Sequence, residues 1–162
     1  MLLVKLLYIT LIFTSIISCN EGLSPPILVP KSYISGKITY KDGLINWPPN
    51  DSVKAIRVVA FKNYPPKDIV NEIIQGNAFF TDTLPLYVDS SSYLIEIKTL
   101  PVELPYIVAV QNYGTIMEWR AIGVYTLTGD NTKPTKLSVA AGMIYNKIDI
   151  TVDFKNLPPQ PF

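Results

Sequence analysis

Three groups of residues in this 162-residue chain could carry chemistry, and each implies a different kind. The first is carboxylates. Asp149 and Asp153 flank Thr151 on one face of an alternating run, and Asp130-Asn131 sits in a turn. Clustered oxygens of this kind hold Ca²⁺ when roughly 6–8 of them converge. A pair of carboxylates is also the minimum set for glycoside hydrolysis. Neither chemistry is specified, because no D-x-D-x-D-G loop is present. An outward strand face accounts for both aspartates, since Ile148, Ile150, Val152 and Phe154 must face a core. The second group is aromatic: Trp47 in a proline-rich loop, and Tyr64, Tyr113 and Trp119 at loops or strand ends. Aromatic faces stack on sugar rings or peptides, but large aromatics also plug the ends of cores. The third is Cys19, the one thiol in the chain.

What is missing excludes more than what is present suggests. The chain has no histidine. That removes the commonest general base, the usual zinc ligand and every Ser-His or Cys-His nucleophile. The expectation is a protein that is not an enzyme and has no catalytic residues, metal or cofactor.

The surroundings of Cys19 are more informative. Lys5 is the one charge among the first residues, Leu6 to Ile17 is nearly all apolar, and small Ser18 follows. Crossing a hydrocarbon core takes roughly 20 apolar residues, and no charged stop-transfer cluster follows, so a secretory signal is expected over a membrane helix. The stretch Ile16-Ile17-Ser18-Cys19 resembles the lipobox of bacterial lipoprotein signals. Ile16 and Ser18 fit that pattern, and Ile17 is bulkier than its usual alanine. The resemblance implies a signal peptide over 1–18, cleaved before Cys19, and a cysteine carrying diacylglycerol and a further acyl chain such as palmitate. Two chains suffice for stable attachment where one does not. The membrane is then a partner through Cys19. Asn20 stands where an aspartate would mark inner-membrane retention, so the implied address is the bacterial cell envelope, at the outer membrane. An ordinary secreted protein with a stray cysteine is the alternative.

With Cys19 taken by lipid, no thiol remains for catalysis, disulfide or metal. The 14 basic residues fall to 13 when Lys5 leaves with the signal, against 13 acidic ones. A near-neutral chain without a basic block is not expected to bind nucleic acid.

The elements that must position these residues follow from the pattern. Residues 19–32 hold the cysteine and a proline-rich tether; at ~3.1 Å per residue, Asn20 to Ser32 reaches up to ~40 Å. Alternatively, Ile27-Leu28-Val29 packs on the domain as an edge segment. The domain is expected over 33–155. Tyr33 to Tyr40 alternates, with Ile34, Gly36, Ile38 and Tyr40 on one face. Val53 to Phe61 is apolar at most positions of both faces and reads as a central strand. One helix is expected near 67–75, with Asp68 in its first turn and Gly76 stopping it. It is too short to stand alone and must pack its isoleucines on a sheet or cap an open end. Phe79 to Val88 is broken by Pro85 and suits an edge. Strands follow at Tyr93–Lys98, Tyr106–Gln111 (the most buried), Glu118–Thr126, around Leu137–Val139, and Ile148–Phe154. The tail, 156–162, is proline-rich. It either serves as an extended docking ligand or, as preferred here, folds back with Phe162 over a sheet edge.

About 7–8 strands with one short helix give an all-β fold, an antiparallel β-sandwich of prealbumin-like or Ig-like kind. The opening Ile34-Ser-Gly36-Lys-Ile38, the Val53-to-Phe61 strand, and the pairing of Tyr93-Leu-Ile-Glu-Ile with Pro105-Tyr-Ile-Val-Ala-Val resemble carboxypeptidase regulatory-like domains. That resemblance implies a domain that binds, supports or presents. The leading expectation is a lipid-anchored, non-catalytic envelope protein that binds or scaffolds another envelope component, whether protein or glycan. The alternative is a carbohydrate-binding module using Trp47 or Trp119, with Tyr64 and Tyr113 as further contacts.

Overall fold

The computed structural model describes residues 30–161. The signal stretch, Cys19 and the tether up to residue 29 therefore lie outside the described residues, as does Phe162. The described chain is an all-β sandwich with one short helix. Ten strands are present among those residues: β1 (Ser32–Tyr40), β2 (Ala55–Phe61), β3 (Ala78–Phe80), β4 (Ser90–Ile97), β5 (Val102–Leu104), β6 (Tyr106–Asn112), β7 (Trp119–Val124), β8 (Leu137–Val139), β9 (Ile144–Tyr145) and β10 (Ile150–Val152). The helix α1 spans Ile69–Ile74.

Sheet A runs β10-β1-β4, with β9 also paired to β1. Sheet B runs β3-β2-β6-β7 and is antiparallel throughout, while β5 and β8 form a separate ribbon. The count exceeds the expected 7–8 because β5 and β9 carry no sequence signal. β5 is three residues between Pro101 and Pro105, and β9 is two. Two pairings also depart from the antiparallel expectation: β9 and β10 both run parallel to β1.

The two sheets enclose one core. Ile34, Ile38 and Tyr40 of β1 and Tyr93, Ile95 and Ile97 of β4 meet Ile56, Val58 and Ala60 of β2 and Ile107 and Ala109 of β6. A period of two delivers these side chains to one face of each strand. The expected inward face of β1 is thereby present. Sheet B is buried on its other face too, where Val59, Phe61, Tyr106, Val108 and Val110 meet Ile69 of α1, with Ile73 packed against them. Apolar residues on both faces therefore belong to the two central strands, and all seven residues of β6 are buried.

α1 is short but bounded at both ends. Asp68 is its N-cap and not a first-turn residue: its Oδ1 accepts from the Asn71 N–H at 2.8 Å. At the other end Gly76 takes φ +71°, and the Gly76 and Asn77 N–H groups donate to the Ile73 and Glu72 carbonyls at 3.0 and 2.8 Å. Those two bonds are a Schellman stop, which needs a left-handed residue after the helix. The helix packs Ile69 and Ile73 on sheet B and leaves Ile74 75 % exposed.

The tail folds back. β10 ends at Val152, so Phe154 leaves the strand and joins an aromatic cluster. Further on, Pro158 is buried and the Gln160 amide pairs with the backbone of Ala121 on β7, accepting from its N–H at 2.8 Å and donating to its carbonyl at 3.0 Å. A side-chain amide thus supplies the pairing that a fifth strand would give to the outer edge of sheet B.

Candidate functional site

The carboxylates come together but are already engaged. Asp153 accepts from Lys41 Nζ at 2.7 Å, Asn46 Nδ2 at 3.1 Å and the Lys155 N–H at 3.0 Å. Those donors hold its carboxyl down at about 2. Asp149 Oδ1 accepts from the Lys37 N–H at 2.8 Å. Both line a polar cleft of about 310 Å³ with Lys41, Thr126, Asn131 and Thr151. Among the described residues no group of three His, Cys, Asp or Glu is placed to hold a metal ion. The Lys41 ammonium already neutralises the more heavily bonded carboxylate.

The four aromatics do not share a surface. Trp47 lies in a cluster at one end of the inner core, its ring centroid 4.5 Å from Tyr40, 4.8 Å from Tyr87 and 5.0 Å from Phe154. Its Nε1–H donates to the Val88 carbonyl at 3.0 Å. The indole therefore closes the end of the sandwich. Tyr64 packs against Tyr106 at the start of β6, the ring centroids 5.0 Å apart and the planes tilted by 42°. Tyr113 follows the last residue of β6, with the Arg120 guanidinium 5.3 Å from its ring centroid. The seven-residue length of β6 separates those two tyrosines. Cys19 lies outside the described residues.

Trp119 is different. It sits on the outer face of sheet B, paired in register with Asn112, and lines an apolar groove of about 220 Å³ between α1 and that sheet. The walls are Val59 and Val110 from the sheet, Ile69, Val70, Ile73 and Ile74 from the helix, and Phe80, Ile116 and Trp119 from the rim. One charged group enters it. Arg57 lies over the Phe80 ring with its guanidinium 5.5 Å from the centroid, and its Nε is buried with no hydrogen-bond partner among the described residues.

The rim loop after β6 is held rigidly. Asn112 Nδ2 donates to the carbonyls of Thr115 and Glu118 at 2.6 and 3.2 Å. The Glu118 carboxylate accepts from the Thr115 N–H at 2.5 Å, which lowers its pKa. Trp119 Nε1–H donates to the Ile116 carbonyl at 2.8 Å. These bonds fix a loop whose tip presents Ile116, 80 % exposed, and Met117, 54 % exposed. With Ile74 and Phe80, Ile116 forms an apolar rim around the groove. Contiguous apolar exposure of this kind marks a contact surface, whereas scattered residues do not.

Comparison with protein-family models, with curated proteins and with solved structures gives no match. The groove must therefore be read from its own chemistry. Sequence reasoning located Trp119 but not Arg57, Phe80 or Ile116. The usable signal was Ile116-Met117 in a short turn next to a tryptophan, where two large apolar side chains have no strand to bury them.

Proposed function

We propose that this chain is a lipid-anchored, non-catalytic protein of the bacterial cell envelope, held at the outer membrane through acyl groups on Cys19. Its sandwich binds an apolar segment of another envelope component in the groove between α1 and sheet B. The observation that carries the binding half is the stapled loop that holds Ile116 and Met117 in solvent beside Trp119. A rigid apolar rim loses little conformational freedom on binding, so more of the contact energy appears as affinity. The Arg57 guanidinium is the one charged group lining an otherwise apolar wall, which suits a segment offering a carbonyl or carboxylate. The anchor half is supported by the sequence of Ile16 to Cys19. The resemblance to carboxypeptidase regulatory-like domains loses one support, because β4 pairs with β1 and β6 with β2 and β7, so Tyr93–Ile97 does not pair with Tyr106–Val110. The carbohydrate alternative gains no platform from Trp47 and Trp119, because the two indoles lie on different sides of sheet B.

The test is site-specific photocrosslinking in the native envelope. A photoreactive residue at Ile116 is expected to give a discrete adduct that Ile74→Asp abolishes, and the same residue at exposed Leu127 is expected to give none. Equal adducts at both positions, or none at Ile116, would refute the groove as the binding surface.

A further inference from the structure

The four edges of the two sheets are treated very differently. β3 is three residues long, and Pro85 follows soon after it. β7 is paired with the Gln160 amide. β9 and β10 are two and three residues. β4 is eight residues, with no proline and no bulge against β1. Short length, caps and prolines are the usual means of blunting an edge, and β4 has none of them.

Its free backbone groups can be assigned. On β1 the odd residues turn away from β4: the Tyr33 N–H donates to the Met143 carbonyl, the Ser35 carbonyl accepts from the Ile148 N–H, and the Lys37 N–H donates to Asp149. Even residues of β1 therefore bond β4, and the register Ile34↔Ile95 and Gly36↔Tyr93 assigns that ladder to the odd residues of β4. The backbone of Ser90, Ser92, Leu94 and Glu96 is left facing the open edge. Among the described residues the one contact to any of these groups is the Ser91 hydroxyl, 3.4 Å from the Ser92 carbonyl. β3 approaches β4 from the opposite sheet without pairing to it.

We infer that this edge pairs with the same edge of a second copy, antiparallel about a two-fold axis at Leu94, extending sheet A across the dimer. Side chains select that register. Leu94, 58 % exposed, meets its own copy, and Glu96, already paired with Lys31 at 3.1 Å, falls opposite Ser92 of the other copy. Centring on Glu96 would oppose two carboxylates, and centring on Ser92 would leave Leu94 against Ser90 with no apolar partner. A self-complementary edge is what a closed two-fold dimer requires.

The test uses the full chain in detergent, with wild type as the control for Cys19. Light scattering is expected to give a dimer, and Leu94→Lys a monomer that still unfolds cooperatively, at a melting temperature that no longer rises with protein concentration. Under mild oxidation Leu94→Cys is expected to cross-link, because hydrogen-bonded partners sit about 5.5 Å apart between Cα atoms, within disulfide reach. Ser92→Cys, two residues off the axis, is expected not to. A wild type that stays monomeric at its highest soluble concentration would overturn the inference, whether residues 20–29 or another protein holds the edge. So would a Ser92→Cys cross-link without one at Leu94→Cys, or a dimer that survives Leu94→Lys.

Discussion

The Tyr93 hydroxyl donates to the backbone carbonyl of Ile148, and it does so across the strand that separates them. Tyr93 is on β4 and Ile148 precedes β10, with β1 between. The ring passes over Gly36, the β1 residue paired with Tyr93, where a Cβ would overlap the Ile148 carbonyl and stand 3.1 Å from the tyrosine ring. Sheet A is thus tied edge to edge through a position that only glycine can occupy. Gly36→Ala is expected to cost ~1–3 kcal/mol through overpacking. Tyr93→Phe is expected to cost ~1–3 kcal/mol by leaving a buried carbonyl unpaired. Urea unfolding of both variants checks this, and a Gly36→Ala protein as stable as wild type would contradict it.

Asp153 links the end of β10 to β1 and to the turn bearing Trp47. Its folded pKa, about 2, lies below the ordinary 3.8, so it contributes stability that is full above about pH 4 and is lost as pH falls through about 2. Asp153→Asn is therefore expected to lower the melting temperature at pH 7, with the gap to wild type closing between about pH 4 and 2. A gap that stays constant over that range would show that the charge is not what stabilises the contact.

Gln160 is expected to protect the β7 edge. Gln160→Ala removes both bonds to Ala121 and is expected to destabilise by ~0.5–1.5 kcal/mol per bond lost at most. The more specific readout is hydrogen exchange at the Ala121 amide, which is expected to accelerate while the Val110 and Ile122 amides keep their rates. Unchanged exchange at Ala121 would mean the tail does not hold that edge in solution.

Asp68→Ala removes the α1 N-cap and is expected to cost ~1 kcal/mol. Because α1 forms one wall of the groove, the same variant is expected to weaken the crosslink at Ile116. Asp68→Asn, which keeps a capping oxygen, is expected to restore it. A loss of stability without any loss of crosslinking would place the binding surface away from α1.

Strand periodicity made the sandwich legible. The alternation of Ile34, Ile38 and Tyr40 gave β1 its inward face, and the two-sided apolar run of Tyr106 to Gln111 gave sheet B its buried centre. Local signals stopped there. The parallel pairing of β1 with β10 joins Ile38 to Ile150, more than a hundred residues away, and no local pattern encodes it. Residue type favours Trp47 as a core plug over a sugar platform, but the partners that make it one, Tyr40, Tyr87 and Phe154, are set only by the fold. No local pattern singles out Arg57, because its relation to Phe80 and α1 exists only after β2 and β3 pair.

Cys19 carries the central claim, since the proposed anchor would determine which partners the groove can meet. Mass spectrometry of the N-terminal peptide from the membrane fraction tests it directly, with Cys19→Ser as the control. The predicted result is a peptide beginning at Cys19 and carrying a diacylglyceryl and an acyl group, absent from the control. A wild-type protein recovered uncleaved, or with an unmodified Cys19 thiol, would contradict the lipid anchor.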